Sequence, residues 1–393
     1  MRVLESDSMA RTIGVVTVAR SDYGHLVPLL EALRDRPGLA LQLYVAGGHL
    51  SPRFGRTVDA IERDGWPITA RVETAGASDA PVDVATGAGA GVAGFARAFA
   101  HGRPDLIVLL GDRLEMLAAA VAALPLVIPV AHLHGGEITE GAIDEQARHA
   151  LTKLAHLHFP AAEAYAQRIL QMGEEPWRVH CVGAPGLDRL ARLPALPRAE
   201  LARRIGLPLR RPTLLVTFHP ATLEPGEAGA HAEELAAALA SAEGDVVITY
   251  PGADAAHAAV IERLGALAAA RPGTRMMPAL GEESYGALLR EADVMVGNSS
   301  SGLIEAPSFG LPVVNVGSRQ RGRLRAANVI DVGYGREEIA AGIRRALQPG
   351  FRESLRGLVN PYGDGRAAPR IAEVLASVAL GPCLVRKRFV DRP

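Results

Sequence analysis

The chain has 393 residues, long enough for two domains of ordinary size rather than one core. Its formal net charge of −1 supplies no bulk electrostatic drive toward nucleic acid or a membrane surface. With only Cys181 and Cys383 and no CxxC spacing, the sequence argues against a disulfide scaffold and a structural zinc site.

In chain order, the opening MRVLESDSMARTIGVV lacks the apolar stretch of a secretory leader, and Met9 is an alternative start. The longest apolar runs stop short of a bilayer span, so a soluble, cytoplasmic protein is expected. A predicted strand over 12–19 runs into Arg20, Ser21 and Asp22, ahead of a helix predicted to begin near His25. Such a loop either grips phosphate through Arg20 and helix amides, or uses Ser21 or Asp22 as a cap. No GxGxxG follows the strand, which lowers the case for a nicotinamide cofactor. Further apolar runs at 41–47, 105–112, 126–133 and 157–162 alternate with Ala/Leu-rich amphipathic stretches. Aliphatic strands alternating with helices predict a parallel sheet covered on both faces. Asp112 and Arg113 stand directly after the 105–112 run, where Asp112 is either a helix cap or a functional carboxylate.

VAHLHGGEITEGAIDEQARHALTKLAHLHF (130–159) packs His132, His134, Glu137, Glu140, Asp144, Glu145, Arg148, His149, Lys153, His156 and His158 into one strand–loop–helix unit. Gly135, Gly136 and Gly141 allow a close backbone approach or a sharp turn. Asp144, Arg148 and Lys153 recur at near-helical spacing, which makes one helix face polar. Carboxylates gathered at one loop are equipment for proton transfer, because burial and mutual repulsion separate their pKa values. His132 and His134 alternate along the predicted strand and so share a face, which opens a metal reading. The usual zinc spacings are missing, however, and no metal is expected. His156 and His158 are read as structural.

A Pro- and Arg-rich linker with one short helix precedes a second series of apolar runs at 213–220, 245–252, 293–298 and 312–317. The fold class is therefore α/β, two Rossmann-like domains in tandem with a boundary near residue 190. His219 falls just past the first strand of the second series, placed to act as an acid or phosphate ligand if it is not an ordinary loop histidine. In GNSSSGLIEAPSFGLPVVNVG (297–317) a strand ends at a turn from Asn298 to Gly302 and a short helix follows. The hydroxyls of Ser299, Ser300 and Ser301, with the amides of that helix N-terminus, suit a diphosphate. Glu305, one turn inside, suits two ribose hydroxyls; a serine cap and a solvated glutamate are the alternative.

These segments together resemble the UDP-N-acetylglucosamine 2-epimerase family, most closely the hydrolysing branch of bacterial sialic-acid pathways. The resemblance runs from about Ile13 to Arg370 and is carried by TVARSDYGHLVPLL, VLLGDRLEML, HLHGGEITEGAIDEQARHALTKLAHLHF, VGAPGLD, TFHP and GNSSSGLIEAPSFGLPVVNVGSRQRGR. It implies a glycosyltransferase-B-like fold with the active site in the interdomain cleft. The domains would be 1–190, joined by a returning segment 366–393, and 191–365. It implies anti elimination of UDP to a 2-acetamidoglucal followed by hydration with inversion at C2, with no metal and no nicotinamide. Asp112, Glu137 and Asp144 match the family's acid/base carboxylates, and His219 a histidine near the diphosphate or the glycal. Arg20, Asp22, Arg113, His134, Asn298 and Arg321 fall among the substrate-binding positions, with Ser299, Ser300 and Ser301 on the diphosphate and Glu305 on the ribose. HLHGGEITEGAID favours the hydrolysing branch. The expected substrate is UDP-N-acetylglucosamine, giving UDP and N-acetylmannosamine; the alternative is a UDP- or GDP-linked 2,4-diacetamido-2,4,6-trideoxyhexose. The expected partner is thus a nucleotide sugar, and family members are commonly dimers or tetramers.

Overall fold

A computed structural model describes residues 10–52, 55–74, 81–140, 144–221, 225–251, 256–278 and 280–392; Gly141 of the glycine-rich loop lies outside them. Among the described residues, strands form two six-stranded sheets, every pair parallel. The first contains β1 (Arg11–Thr17), β2 (Leu39–Ala46), β3 (Ile68–Val72), β4 (Leu106–Leu110), β5 (Val130–Leu133) and β6 (Leu157–Phe159), in the order β3-β2-β1-β4-β5-β6. The second contains β7 (Thr213–Thr217), β8 (Asp245–Thr249), β9 (Thr274–Met277), β10 (Val294–Gly297), β11 (Val313–Val316) and β12 (Val329–Val332), in the order β12-β11-β10-β7-β8-β9. Counted from its own first strand, each sheet has the same doubly wound order, and each has one switch point: β1 beside β4, and β7 beside β10.

The strands are aliphatic because both faces are covered. Ile13 and Val15 of β1, with Leu106 and Val108 of β4, pack into one apolar layer. Val16 and, on β4, Ile107 and Leu109 pack into another, with Phe95, Phe99 and the alanines of helix Leu114–Ala123. At roughly 1.5–3 kcal/mol for each large aliphatic side chain fully buried, such alternation on both faces fixes the strand register.

The chain divides into two compact units, Met1–Glu137 with Ile143–Arg189 and Tyr362–Pro393, and Ile138–Ala142 with Leu190–Pro361. Helix Ala367–Ser377 belongs to the first unit and packs on helix Arg20–Arg34. Asp188 of VGAPGLD fixes its start by accepting the amides of Ala367 (2.8 Å) and Ala368 (2.7 Å). The linker carries one short helix, Arg198–Ile205, as its sequence predicts, stopped by Gly206 in the left-handed region. The first helix differs from expectation. It starts at Arg20 rather than near His25, because Asp22 turns back to accept the otherwise orphaned amides of Val18 (2.8 Å) and Ala19 (2.7 Å).

Candidate active site

Ligands of open α/β sheets bind beyond the carboxyl ends of the strands at the switch point, where two adjacent loops diverge. The residues singled out in the sequence gather at these ends in each unit.

In the first unit, Arg20 opens its helix exposed, and Arg113, also exposed, reaches Ser21 (Nη2 to Oγ, 3.4 Å), joining the β1 and β4 loops. Asp22 is used differently. Besides the two amides, it accepts the Thr17 hydroxyl (3.0 Å), and burial raises its pKa. Its carboxylate caps and braces the turn that carries Arg20.

Asp112 pairs with Arg148, which is 2% exposed and whose guanidinium also reaches Glu145 (3.5 Å). The sequence marked Arg148 only as part of a polar helix face. Its guanidinium is a permanent cation, and burial holds it where it orients Asp112. Asp144 sits one turn away, at the start of helix Asp144–Leu154.

His132 and His134 do not share a strand face. His132 is the third residue of β5, whereas His134 lies beyond the strand with φ +61, a conformation rare outside glycine. His132 Nε2 lies 2.7 Å from the Gly111 carbonyl and so carries the proton, leaving Nδ1 to face the Thr152 hydroxyl (3.4 Å), which is shared with the Arg148 carbonyl (3.1 Å). Burial holds this ring neutral, its pKa pushed down to about 4. With both nitrogens occupied, the paired-histidine metal geometry is not formed. Among the described residues no group of three His, Cys, Asp or Glu is arranged for a metal.

His134 instead pairs with Glu137, Nδ1 to Oε1 2.6 Å, and Glu137 is 4% exposed. A carboxylate on Nδ1 fixes the ring's tautomer and leaves Nε2 available to a substrate. The glycines make this possible. Gly136 has φ +77, and a Cβ there would stand 2.4 Å from the Tyr165 carbonyl, while Arg168 donates to the Gly136 carbonyl. His25 faces the same pair, its pKa lowered to about 4 chiefly by burial. Sequence patterning marks His25 only as a helix start, yet it packs on VGAPGLD so closely that a Cβ on Gly186 would meet its Nδ1 at 2.1 Å. His156 and His158 are structural, His156 Nδ1 accepting the Val130 amide (3.1 Å) and His158 lying 3.1 Å from Glu174.

In the second unit, Gly297 has φ +134, and a Cβ would stand 2.0 Å from the Thr217 carbonyl, so only glycine lets β10 end there. The Asn298 side chain accepts the His219 amide (2.7 Å) and donates to the His219 carbonyl (2.8 Å). It therefore clamps the β7 and β10 loops together rather than presenting its own amide. Its main-chain carbonyl accepts from Gln320 (2.8 Å) and Arg319 (3.3 Å). Arg321 is exposed in the same loop.

The helix after the serines is a single turn, Ser301–Ile304, continuing as a 3-10 turn over Ala306–Phe309. A helix this short has little macrodipole, so any anion affinity rests on local amides and hydroxyls. Ser300 stands at its N-cap, and Ser299 Oγ accepts the Ser301 amide (3.3 Å). Tyr285 donates to Ser301 Oγ (2.6 Å), which in turn donates to Glu305. Burial raises the pKa of both Tyr285 and Glu305. The Ser301 proton is therefore committed to Glu305, and Tyr285 is a member of this site that sequence patterning did not mark.

The family described as UDP-N-acetylglucosamine 2-epimerase matches residues 31–376. A UDP-N,N'-diacetylbacillosamine 2-epimerase (hydrolyzing) from Legionella pneumophila is 37% identical over 96% of this chain and 99% of its own. A GDP/UDP-N,N'-diacetylbacillosamine 2-epimerase (hydrolyzing) from Campylobacter jejuni is 34% identical over 82% of this chain and 84% of its own. The crystal structure of UDP-GlcNAc 2-epimerase from Neisseria meningitidis bound to UDP-GlcNAc has a TM-score of 0.78 at 18% identity, covering 93% of this chain and 99% of that one. A family match of this length and relatives at this identity agree with the paired doubly wound sheets: this chain belongs to the UDP-N-acetylglucosamine 2-epimerase family.

Proposed function

We propose that this enzyme is a hydrolysing 2-epimerase of a UDP-linked 2,4-diacetamido-2,4,6-trideoxyhexose. In sequence terms this was the alternative to UDP-N-acetylglucosamine. The observation that carries it is the 37% identity, over nearly the full length of both chains, to a relative named for the hydrolysis of the UDP-linked diacetamido sugar.

The site's chemistry supports the reaction class. A base takes the C2 proton while the C1–O bond to UDP breaks, giving a glycal, UDP and one proton held by the enzyme. Water then adds across C1=C2, hydroxyl to C1 and a proton to C2 from the opposite face. The sum is sugar nucleotide plus water giving UDP and the 2-epimeric free sugar. C2–H is a weak acid, so the step needs an aimed base and stabilisation of the leaving diphosphate. The His134–Glu137 pair and the Arg148-oriented Asp112 suit proton transfer, with Asp144 at the start of the helix that carries Arg148. In the first unit Arg20 and Arg113 suit a phosphate; in the second, Ser299, Ser300, His219 and Arg321 suit the diphosphate. Glu305, kept in place by Ser301, suits the ribose.

The test is incubation with each sugar nucleotide in D2O, followed by NMR. Free 2-epimer carrying deuterium at C2, formed faster from the diacetamido substrate, is expected. Faster turnover of UDP-N-acetylglucosamine reverses the substrate assignment. A 2-epimer still linked to UDP sinks the hydrolysing reading.

A further inference from the structure

The segment that follows helix Ala367–Ser377 makes contacts in the first unit that the reaction does not use. Arg178, 1% exposed, donates to the carbonyls of Cys383 (3.0 Å), Leu384 (2.7 Å) and Arg386 (3.0 Å). The Val390 amide donates to the Gly173 carbonyl (2.9 Å), and Phe389 lies so close that a Cβ on Gly173 would meet its ring at 2.4 Å. Lys387 lies in this strap. Its Nζ reaches Glu174 Oε2 (2.8 Å) and the carbonyls of Lys153 (2.8 Å) and Thr152 (3.5 Å). Glu174, fully buried, also accepts Lys153 Nζ (2.6 Å). The family match ends at residue 376, before the strap begins.

Thr152 and Lys153 belong to the last turn of helix Asp144–Leu154, where carbonyls lack intrahelical partners and a cation complements the dipole. The same helix reaches Asp112 by two routes. Arg148 pairs with Asp112 directly, while Thr152 bonds His132, which holds the carbonyl of Gly111, the residue before Asp112. We propose that Lys387 is a positioning residue: it seats the C-terminal end of this helix so that Arg148 and His132 hold Asp112 in its working orientation. The proposal rests on the reading of Asp112 as a reacting group.

The test uses the full chain and Lys387→Arg, Lys387→Gln and Lys387→Met, assayed well below each Tm on whichever sugar nucleotide the wild type turns over. The expected order of kcat is Arg, Gln, Met, with Lys387→Met reduced about tenfold or more, equivalent to about 1.4 kcal/mol in the barrier, and KM changed little. Arginine keeps both charge and donors and should restore most of the rate. Equal kcat across the series overturns the proposal, whatever the melting temperatures, because a strap that only stabilises would move Tm alone. Hydrogen exchange of residues 144–154 gives a readout that needs no turnover. Faster exchange there in Lys387→Met is expected, and unchanged protection overturns the proposal. A wild type inactive on both sugar nucleotides sinks the functional reading instead, and the exchange result still decides the role of Lys387.

Discussion

Glu137 is buried, and its carboxylate meets the Nδ1 of a histidine held at φ +61. Backbone strain of about 1–3 kcal/mol persists only where the surroundings over-determine it, and the glycines and the Tyr165 carbonyl supply that constraint here. In the proposed reaction Glu137 orients the ring and His134 Nε2 is the nitrogen left to face substrate. Glu137→Gln keeps the shape and an acceptor oxygen but removes the charge that stabilises a protonated ring. Its kcat is expected to fall about 10²–10⁴-fold, with UDP binding unchanged within about threefold. Steady-state kinetics with a UDP titration checks this; a parallel loss of UDP affinity moves Glu137 from chemistry to recognition. The sequence brought these two residues to attention through HLHGGE but assigned them separate roles. The hydrogen bond that makes them a unit depends on the turn conformation, which no periodicity encodes.

At the level of elements, strand ends were legible because a fully buried parallel strand is an aliphatic run and the next polar residues must lie at its mouth. Asp112, Glu137, His219 and Ser299 were all found that way. Use within the loops was not legible. Asp22 and Asn298 carry ligand-like side chains yet spend them on backbone groups, and Arg148 reads as surface until its burial is seen. The serine turn shows the same limit, since Tyr285 and Ser301 are 16 residues apart and meet only through packing. That network has a pH consequence. Burial raises the pKa of Glu305, so without ligand the carboxyl keeps its proton above the ordinary carboxylate range. Stability from this group is full below its unfolded pKa and is lost as pH rises through the raised value. Ribose hydroxyls would donate to the ionised form, so UDP binding should release a proton and tighten as pH rises through that range. Calorimetry in two buffers of different ionisation enthalpy measures the release. Ser301→Ala removes a hydroxyl donor to Glu305 and should weaken UDP by about 1–3 kcal/mol while moving the transition to higher pH. Affinity flat with pH and no proton release would remove Glu305 from the binding site.

Over the whole molecule, the first unit carries an acid liability. His49 and His132 are fully buried, His156 nearly so and His25 partly, and burial is the leading cause that lowers each of the four to about 4. A histidine with a depressed folded pKa stabilises above its unfolded value of 6.5, and that contribution drains away as pH falls toward 4. Each adds a slope of up to roughly 1.4 kcal/mol per pH unit, so four give about 5–6 kcal/mol per unit near pH 5. Glu174, held down to about 2 by hydrogen bonds from His158, Lys153 and Lys387 despite burial, extends the loss at lower pH, while the raised Asp22 opposes it in part. Against a typical reserve of roughly 5–15 kcal/mol, the first unit should unfold between about pH 4 and 5. Both tryptophans, Trp66 and Trp177, belong to this unit, so their fluorescence reports it alone. The expected acid titration is steep, with about four protons taken up. Replacing His156 by Gln, whose side-chain oxygen can still accept the Val130 amide, should remove about one of them. A transition of unchanged steepness in that variant would mean that His156 titrates alike in the folded and unfolded chains. The acid sensitivity of the unit would then lie with carboxylates rather than with its buried imidazoles.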